Sequence, residues 1–143
     1  MKHFIPAAII LVSSFLTAPA RAQSTLGLTP AALQALYRGT PNLGAWQQGT
    51  TGSGQPYVQF VDRQNNLVVV SYFTAAAAPA EARVTTTAVS GPVVPFLGIF
   101  VNKCDSLYPS ESANAWTDPV NHLRITVEAR ADVATMRFTA LPE

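Results

Sequence analysis

The sequence contains one cysteine, two histidines and few charged residues. Cys104 has no partner within the chain, which excludes an internal disulfide. One cysteine and, beyond His3, a single histidine offer no ligand cluster for a metal. Charged residues make up 12% of the chain and form no run of one sign, which argues against nucleic acid or an anionic membrane as a partner. Cys104 is interpreted as a buried thiol, with a bridge between two chains as the alternative.

Long apolar runs are also scarce. Residues 4–16 form the one extended run, and it is shorter than the roughly 20 residues that span a bilayer. A short basic start precedes it, and Ala20-Arg21-Ala22 follows, a small-x-small pattern typical of signal-peptidase cleavage. The sequence therefore predicts a signal peptide at 1–22 and a secreted or periplasmic protein. Without that segment seven Lys and Arg stand against eight Asp and Glu, which is close to neutral.

Signatures of catalysis are absent as well. Ser53 lies between two glycines but not in the G-x-S-x-G elbow of hydrolases. His122 belongs to a predicted exposed turn, and Asp105, Glu111 and Asp118 are scattered over polar loops instead of being paired at acid/base spacing. The sequence predicts that the protein is not an enzyme. A hydrolase using Ser53 and His122 is the weakest alternative.

Residues 28–39 carry the pattern of one short helix. Thr29 can cap its start, Pro30 suits the first helical position and Gly39 suits the exit. A small apolar stripe gives this helix one face for packing: Leu33, Leu36 and Tyr37. We expect residues 23–42 to form an N-terminal extension that contains this helix.

Residues 43–143 are typical of strands and turns. Eight segments have strand-like composition or alternation: 43–48, 57–62, 67–74, 83–89, 96–102, 112–117, 123–130 and 133–141. The polar residues 63–66 join two of them into a hairpin. The pattern predicts an all-β domain, an eight-stranded antiparallel up-and-down barrel that can hold a small ligand. A two-sheet sandwich has the same strand count and is the alternative.

Five short motifs resemble, in the same order, strands of the avidin and streptavidin family. They are Gly44-Ala45-Trp46, Ser71-Tyr72-Phe73-Thr74-Ala75, Gly98-Ile99-Phe100-Val101-Asn102, Ser112-Ala113-Asn114-Ala115-Trp116-Thr117 and Phe138-Thr139-Ala140-Leu141. Together they span nearly all of the chain beyond the helix. The resemblance implies that biotin or a biotin-like molecule is held inside the barrel, with no other cofactor. It also implies a homo-oligomer, either a dimer or a tetramer, with a monomer as the alternative because the tryptophan that the family shares between subunits of the tetramer is missing.

The resemblance further implies a set of ligand-binding residues: Gln48, Ser53, Tyr72, Thr74, Ser112, Asn114 and Trp116. The first three correspond to family positions that hold the ureido carbonyl of biotin. Thr74 corresponds to the hydroxyl that accepts a hydrogen bond from a ureido N–H. A dry pocket must satisfy each of these polar atoms, because an unpaired one costs about 1–3 kcal/mol.

Ser112, Asn114 and Trp116 correspond to family positions at the tail, the sulfur and one wall of the pocket. Positions two apart share a strand face, so we expect all three on one face, pointing toward the other four residues. Lys103 stands at or beside one family tryptophan and Met136 replaces a hydrogen-bonding group. An aromatic wall adds about 0.5–1.5 kcal/mol beyond its buried area, so we expect weaker binding than in the family.

A second hypothesis comes from a different functional class. In it the chain is a secreted barrel or sandwich with a filled interior and no ligand. Such a protein would act through its surface, as an inhibitor or as a structural protein of the envelope. This hypothesis predicts an exposed apolar patch of several hundred Å².

Overall fold

The computed structural model describes residues 25–38, 43–76 and 78–142. The signal peptide predicted at 1–22 lies outside these residues, as does Gly39, the predicted helix exit. Besides a single-turn 3-10 helix at Pro79–Glu81, the described residues form two α-helices and eight strands. In chain order these are α1 (Pro30–Tyr37), β1 (Gln47–Thr50), β2 (Pro56–Asp62), β3 (Leu67–Phe73), β4 (Val84–Pro92), α2 (Val93–Leu107), β5 (Ser110–Ser112), β6 (Ala115–Asp118), β7 (Leu123–Arg130) and β8 (Val133–Ala140).

All eight strands belong to one antiparallel sheet, in the order β1-β2-β3-β4-β8-β7-β6-β5. The prediction of a mostly β protein with eight antiparallel strands is confirmed. The sheet consists of two four-stranded meanders that join where β4 pairs with β8. A sequential up-and-down order would instead pair β4 with β5. Among the described residues β1 and β5 are the edges and the sheet is open, so closure into a barrel stays a prediction.

Helix α1 begins and ends close to the predicted positions. The Thr29 side chain accepts a hydrogen bond from the backbone N–H of Ala32 at 3.2 Å, and Pro30 occupies the first turn. Leu33 is fully buried and packs in a small cluster with Val58 and Phe73. This docking supplies most of the stability of so short a helix, because isolated helices of this length are marginal in water.

The segment 96–102 was predicted as a strand, and that prediction is wrong because the segment lies within α2. Phe96, Phe100 and Cys104 are four residues apart and all buried, which is the spacing of one helix face. An apolar run alone does not distinguish a buried strand from a buried helix. The regular part of α2 follows Val94, whose φ of −106° and ψ of 115° are non-helical, as is common before a proline.

The predicted strand at 112–117 is divided into two strands by a tight turn. β5 ends at Ser112 and β6 begins at Ala115. Asn114 in the turn has a φ of 60°, a left-handed conformation in which asparagine is enriched. Because the turn interrupts the alternation of sides, Ser112 and Asn114 are exposed whereas Trp116 is buried. The expected common strand face of these three residues is therefore wrong.

Both helices pack on the same face of the sheet. α2 lies against β4, β7 and β8, and its buried residues join a core that draws on both meanders: Phe60, Leu67, Val69, Val89, Trp116, Leu123, Ile125, Val127, Met136 and Phe138. A Cβ on Gly91 would lie 2.6 Å from the Phe96 ring and 2.8 Å from Leu67. A glycine on β4 is therefore needed for α2 to approach this closely. Neither helix of the described part of the chain combines the length and apolar character needed to cross a bilayer.

The core position of α2 makes Phe100 and Leu107 a matched pair of test sites on one helix. Phe100 is fully buried whereas Leu107 is 44% exposed. We expect Phe100→Ala to lower the free energy of unfolding by about 3–5 kcal/mol, because it leaves a cavity against the sheet. Leu107→Ala should change it by less than about 0.5 kcal/mol. Urea denaturation followed by tryptophan fluorescence measures both, and equal effects would place α2 elsewhere.

Candidate functional site

A cleft of about 460 Å³ opens beside α1 at one end of the first meander. Its volume lies in the range of small-ligand pockets. The lining comes from the start of α1, the end of β1, the start of β2, the end of β3 and the segment that follows β3: Pro30, Gln48, Gly49, Thr50, Pro56, Tyr57, Val58, Phe73, Thr74, Ala76 and Ala82.

The walls of the cleft are mainly apolar. Val58, Phe73 and Ala82 are buried and form its inner side, continuous with the small core under α1. The Tyr57 ring lies against Gly49, where a Cβ would come within 2.5 Å of the Tyr57 hydroxyl oxygen. Glycine at this position therefore allows the Tyr57 ring to lie over the end of β1, on the sheet face opposite Val58 and Phe73.

The polar groups of the cleft are few and are placed at its rim. The Thr74 hydroxyl accepts a hydrogen bond from the Arg83 N–H at 3.0 Å, and the Thr74 N–H donates to the Arg83 carbonyl at 2.8 Å. These bonds fix the two ends of the connection between β3 and β4. The Gln48 side chain is exposed at the end of β1 and offers both an amide donor and an amide acceptor. The cleft can thus take an apolar body with a polar group at the rim.

The structure brings two of the seven predicted site residues together. Gln48 and Thr74 both line the cleft. Ser53 lies in the turn between β1 and β2, where its hydroxyl pairs with that of Thr51 at 2.9 Å. Tyr72 points to the opposite face of β3 from Phe73, and its ring centroid is 6.2 Å from that of Tyr57. Tyr72 therefore packs beside Tyr57 on the sheet face away from Phe73, and it does not line the cleft.

The other three predicted residues lie at the far side of the sheet. Trp116 is on β6, and β2, β3, β4, β8 and β7 separate that strand from β1. The Trp116 ring is 2% exposed, and its Nε1–H donates to a carboxylate oxygen of Asp105 on α2 at 3.0 Å. The polar surroundings of Trp116 thus include a hydrogen-bond partner for a core side chain. The expected common centre of all seven residues is wrong, since the turn at Asn114 and the crossover through α2 separate them.

Most of the cleft was missed by reasoning from sequence. Pro30, Phe73 and Ala82 carry no polar signal and are typical packing residues. The available signal was the connection between β3 and β4, which runs from Thr74 to Arg83 and is long for a hairpin loop. Segments of this kind often carry function on a rigid scaffold.

Ser53 and His122, the pair considered for hydrolysis, do not form a catalytic arrangement in the structure. His122 follows Asn121 in the turn between β6 and β7, four strands away from β2 in the sheet order. The hydrogen-bond partner of the Ser53 hydroxyl is Thr51. A serine nucleophile needs a base within hydrogen-bond reach, so this geometry gives no support to the hydrolase hypothesis.

Cys104 and Tyr108 form a buried group near Trp116. Burial raises the pKa of the Cys104 thiol to about 12, with the negative charge of Asp105 as a second cause. Burial, followed by the charges of Asp118 and Cys104, raises the pKa of Tyr108 to about 12. The thiol lies 4.0 Å from the Met136 sulfur. A thiol with so high a pKa is protonated at neutral pH and is therefore a packing group rather than a nucleophile.

Comparisons of the chain with protein-family models, with curated proteins and with solved structures find no match.

The raised pKa values predict how stability depends on pH. In the unfolded chain Cys104 loses its proton near its ordinary pKa of 9.0, whereas in the folded chain it keeps the proton up to about 12. The free energy of unfolding should therefore be constant below pH 9 on this account and fall as the pH rises from 9 to 12. Urea denaturation at a series of pH values measures this fall. Cys104→Ala should make it shallower, leaving the part due to Tyr108, and an unchanged slope would contradict the assignment.

Proposed function

We propose that the protein is an exported binding protein for a small molecule, with biotin or a biotin-like compound as the first ligand class. The observation that carries the proposal is the cleft beside α1, which places Gln48 and Thr74 around an apolar wall. Both residues correspond to avidin-family positions that contact biotin, and this resemblance supports the ligand class.

The chemistry of the cleft favours a ligand with one apolar part and one polar group. Buried Val58, Phe73 and Ala82 suit a flat or aliphatic body. The Gln48 amide can donate to a carbonyl and accept from an N–H. Biotin combines an apolar bicycle, a ureido group and an aliphatic tail, so it satisfies these requirements.

The ligand is assigned to the cleft rather than to the centre of a barrel. In an avidin-type protein the sheet closes and the ligand lies inside it. Here the helix-bearing face of the sheet is filled by α2, through Phe96, Phe100 and Cys104. Barrel closure therefore belongs to the avidin-type version of the proposal, whereas binding in the cleft requires no closure.

Action through the surface is the second candidate function. The face of the sheet opposite the helices carries half-buried Tyr57, Val68, Val70 and Tyr72 on neighbouring strands β2 and β3. Two exposed ion pairs lie on the second meander, Arg124 with Glu111 and Arg137 with Glu128. An apolar area bordered by charged groups matches the apolar centre and polar rim of protein-binding surfaces. Absence of small-molecule binding in the cleft would favour this second candidate over the first.

Calorimetric titration of the protein with biotin tests the first candidate, and filling the cleft supplies the control. Ala76 is exposed and lines the cleft, whereas Ala129 is exposed on β7 and does not. We expect Ala76→Trp to weaken biotin binding at least tenfold, because the indole occupies the ligand volume. Ala129→Trp should bind like the unchanged protein.

The outcome is decided by heat and by thermal stability together. A ligand at 100 times its Kd stabilises the folded state by about 2.7 kcal/mol, which raises the melting temperature measurably. Absence of both heat and a thermal shift at millimolar biotin would retire biotin as the ligand. Equal loss of binding in both tryptophan variants would remove the cleft as the site.

A further inference from the structure

The two meanders have the same element order. Each consists of one helix followed by four antiparallel strands, α1 with β1–β4 and α2 with β5–β8. The sheet order reads outward from the β4–β8 pair identically on both sides: β3, β2 and β1 on one, β7, β6 and β5 on the other. A two-fold axis through the centre of the sheet would therefore relate the strands of one meander to those of the other.

The hairpins β2–β3 and β6–β7 also share one register. Gln59 pairs with Val70, and the residues 56 positions later, Ala115 and Thr126, pair with each other. The same shift relates Asp62 with Leu67 to Asp118 with Leu123. The two hairpins therefore have turns of equal length at equivalent places.

The two turns are built in the same way. Asp62 accepts hydrogen bonds from the backbone N–H groups of Gln64 and Asn65 and from the Asn65 side chain at 2.9 Å. Asp118 does the same with Val120 and Asn121, whose side chain donates at 2.7 Å.

The next residue in each turn, Asn66 or His122, has a positive φ of 56° or 54°. A buried leucine then opens each following strand, Leu67 or Leu123. An aromatic core residue lies two positions before each aspartate, Phe60 or Trp116. The shared pattern is thus aromatic-x-Asp-x-x-Asn-x-Leu.

The helices end in the same way as well. Both finish near a Leu-Tyr pair, Leu36-Tyr37 and Leu107-Tyr108, in which the leucine is 37% or 44% exposed. Four residues before each tyrosine stands a fully buried residue, Leu33 or Cys104. The sequence alone shows little of this similarity between the two meanders. Their structurally equivalent positions have the same amino acid mainly in the two aspartate turns.

The central strands complete the symmetry. Val70 pairs with Ala88, and its equivalent Thr126 pairs with Arg137. Ala88 and Arg137 are therefore equivalent positions, and they pair directly with each other. The row of neighbours across the sheet is palindromic: Gln59, Val70, Ala88, Arg137, Thr126, Ala115. The two-fold axis passes between Ala88 and Arg137.

We propose that the chain is an internal duplication of one helix-plus-four-strand unit, residues 25–92 and 93–142, and that each unit serves as the dimerisation partner of the other through β4 and β8. The units differ at one functional place. Thr74–Arg83 connects the last two strands of the first unit, whereas Ala131 and Asp132 alone connect those of the second. The long connection lines the cleft. If the proposed function holds, the chain therefore carries one ligand site, in its first unit.

A two-fold arrangement makes the order of the units in the chain immaterial, and a circular permutant tests this without any ligand. The permutant begins at Val93, joins Leu141 to Thr25 through a short Gly–Ser linker and ends at Pro92. A control permutant with the same linker begins at Val120 and ends at Pro119, which cuts the Asp118 turn inside the second unit. Thermal unfolding and tryptophan emission are measured for both.

We expect the unit-order permutant to unfold cooperatively, with buried tryptophan emission and a melting temperature within about 8 °C of the unchanged protein, equivalent to roughly 1–2 kcal/mol. It should be at least as stable as the control. A unit-order permutant that is unfolded, or less stable than the control, would overturn the duplication. Failure of biotin to bind would leave this result unaffected.

Discussion

The pairing of β4 with β8 is the contact on which the rest of the structure depends. Seven residue pairs, from Thr86 with Thr139 to Pro92 with Val133, join the two meanders into one sheet. On one face of this junction Val89 and Met136 contribute to the core under α2. On the other face the hydroxyls of Ser90 and Thr135 pair at 2.8 Å. Without this junction the single core that Val69 and Val89 of the first meander share with Ile125 and Phe138 of the second would be divided.

The junction also determines where the cleft lies. Because α2 crosses from the end of β4 to β5, it occupies the centre of the helix-bearing face, and the cleft lies beside the shorter α1. The connection between β3 and β4 lines the cleft, and the hydrogen bonds between Thr74 and Arg83 join the two ends of that connection. The cleft therefore belongs to the half of the sheet that α2 does not cover.

Local sequence patterns predicted the elements better than they predicted their arrangement. The turn at 63–66 and the alternation in β7 were readable because the strands are half buried and the turn residues are polar. The apolar run that contains Phe96 and Phe100 is compatible with a buried strand or a buried helix. Only the four-residue interval that continues to Cys104 favours the helix. Gln48 and Thr74 both line the cleft, and their role in ligand binding stays a prediction. The division of the strand at Asn114 depended on a backbone conformation that a period-two pattern cannot show. Strand order is non-local, and no short motif encodes it.

The most direct test of this account is the identity of the strand that pairs with β8. Cross-strand nuclear Overhauser contacts in the isotope-labelled protein report it without any mutation. The account predicts contacts between the backbone protons of Val89 and Met136, and between those of Ala88 and Arg137, with none between β1 and β8. Contacts of β8 with β1, together with contacts of β4 with β5, would instead establish a closed barrel of sequential strands. That result would contradict the two-meander sheet.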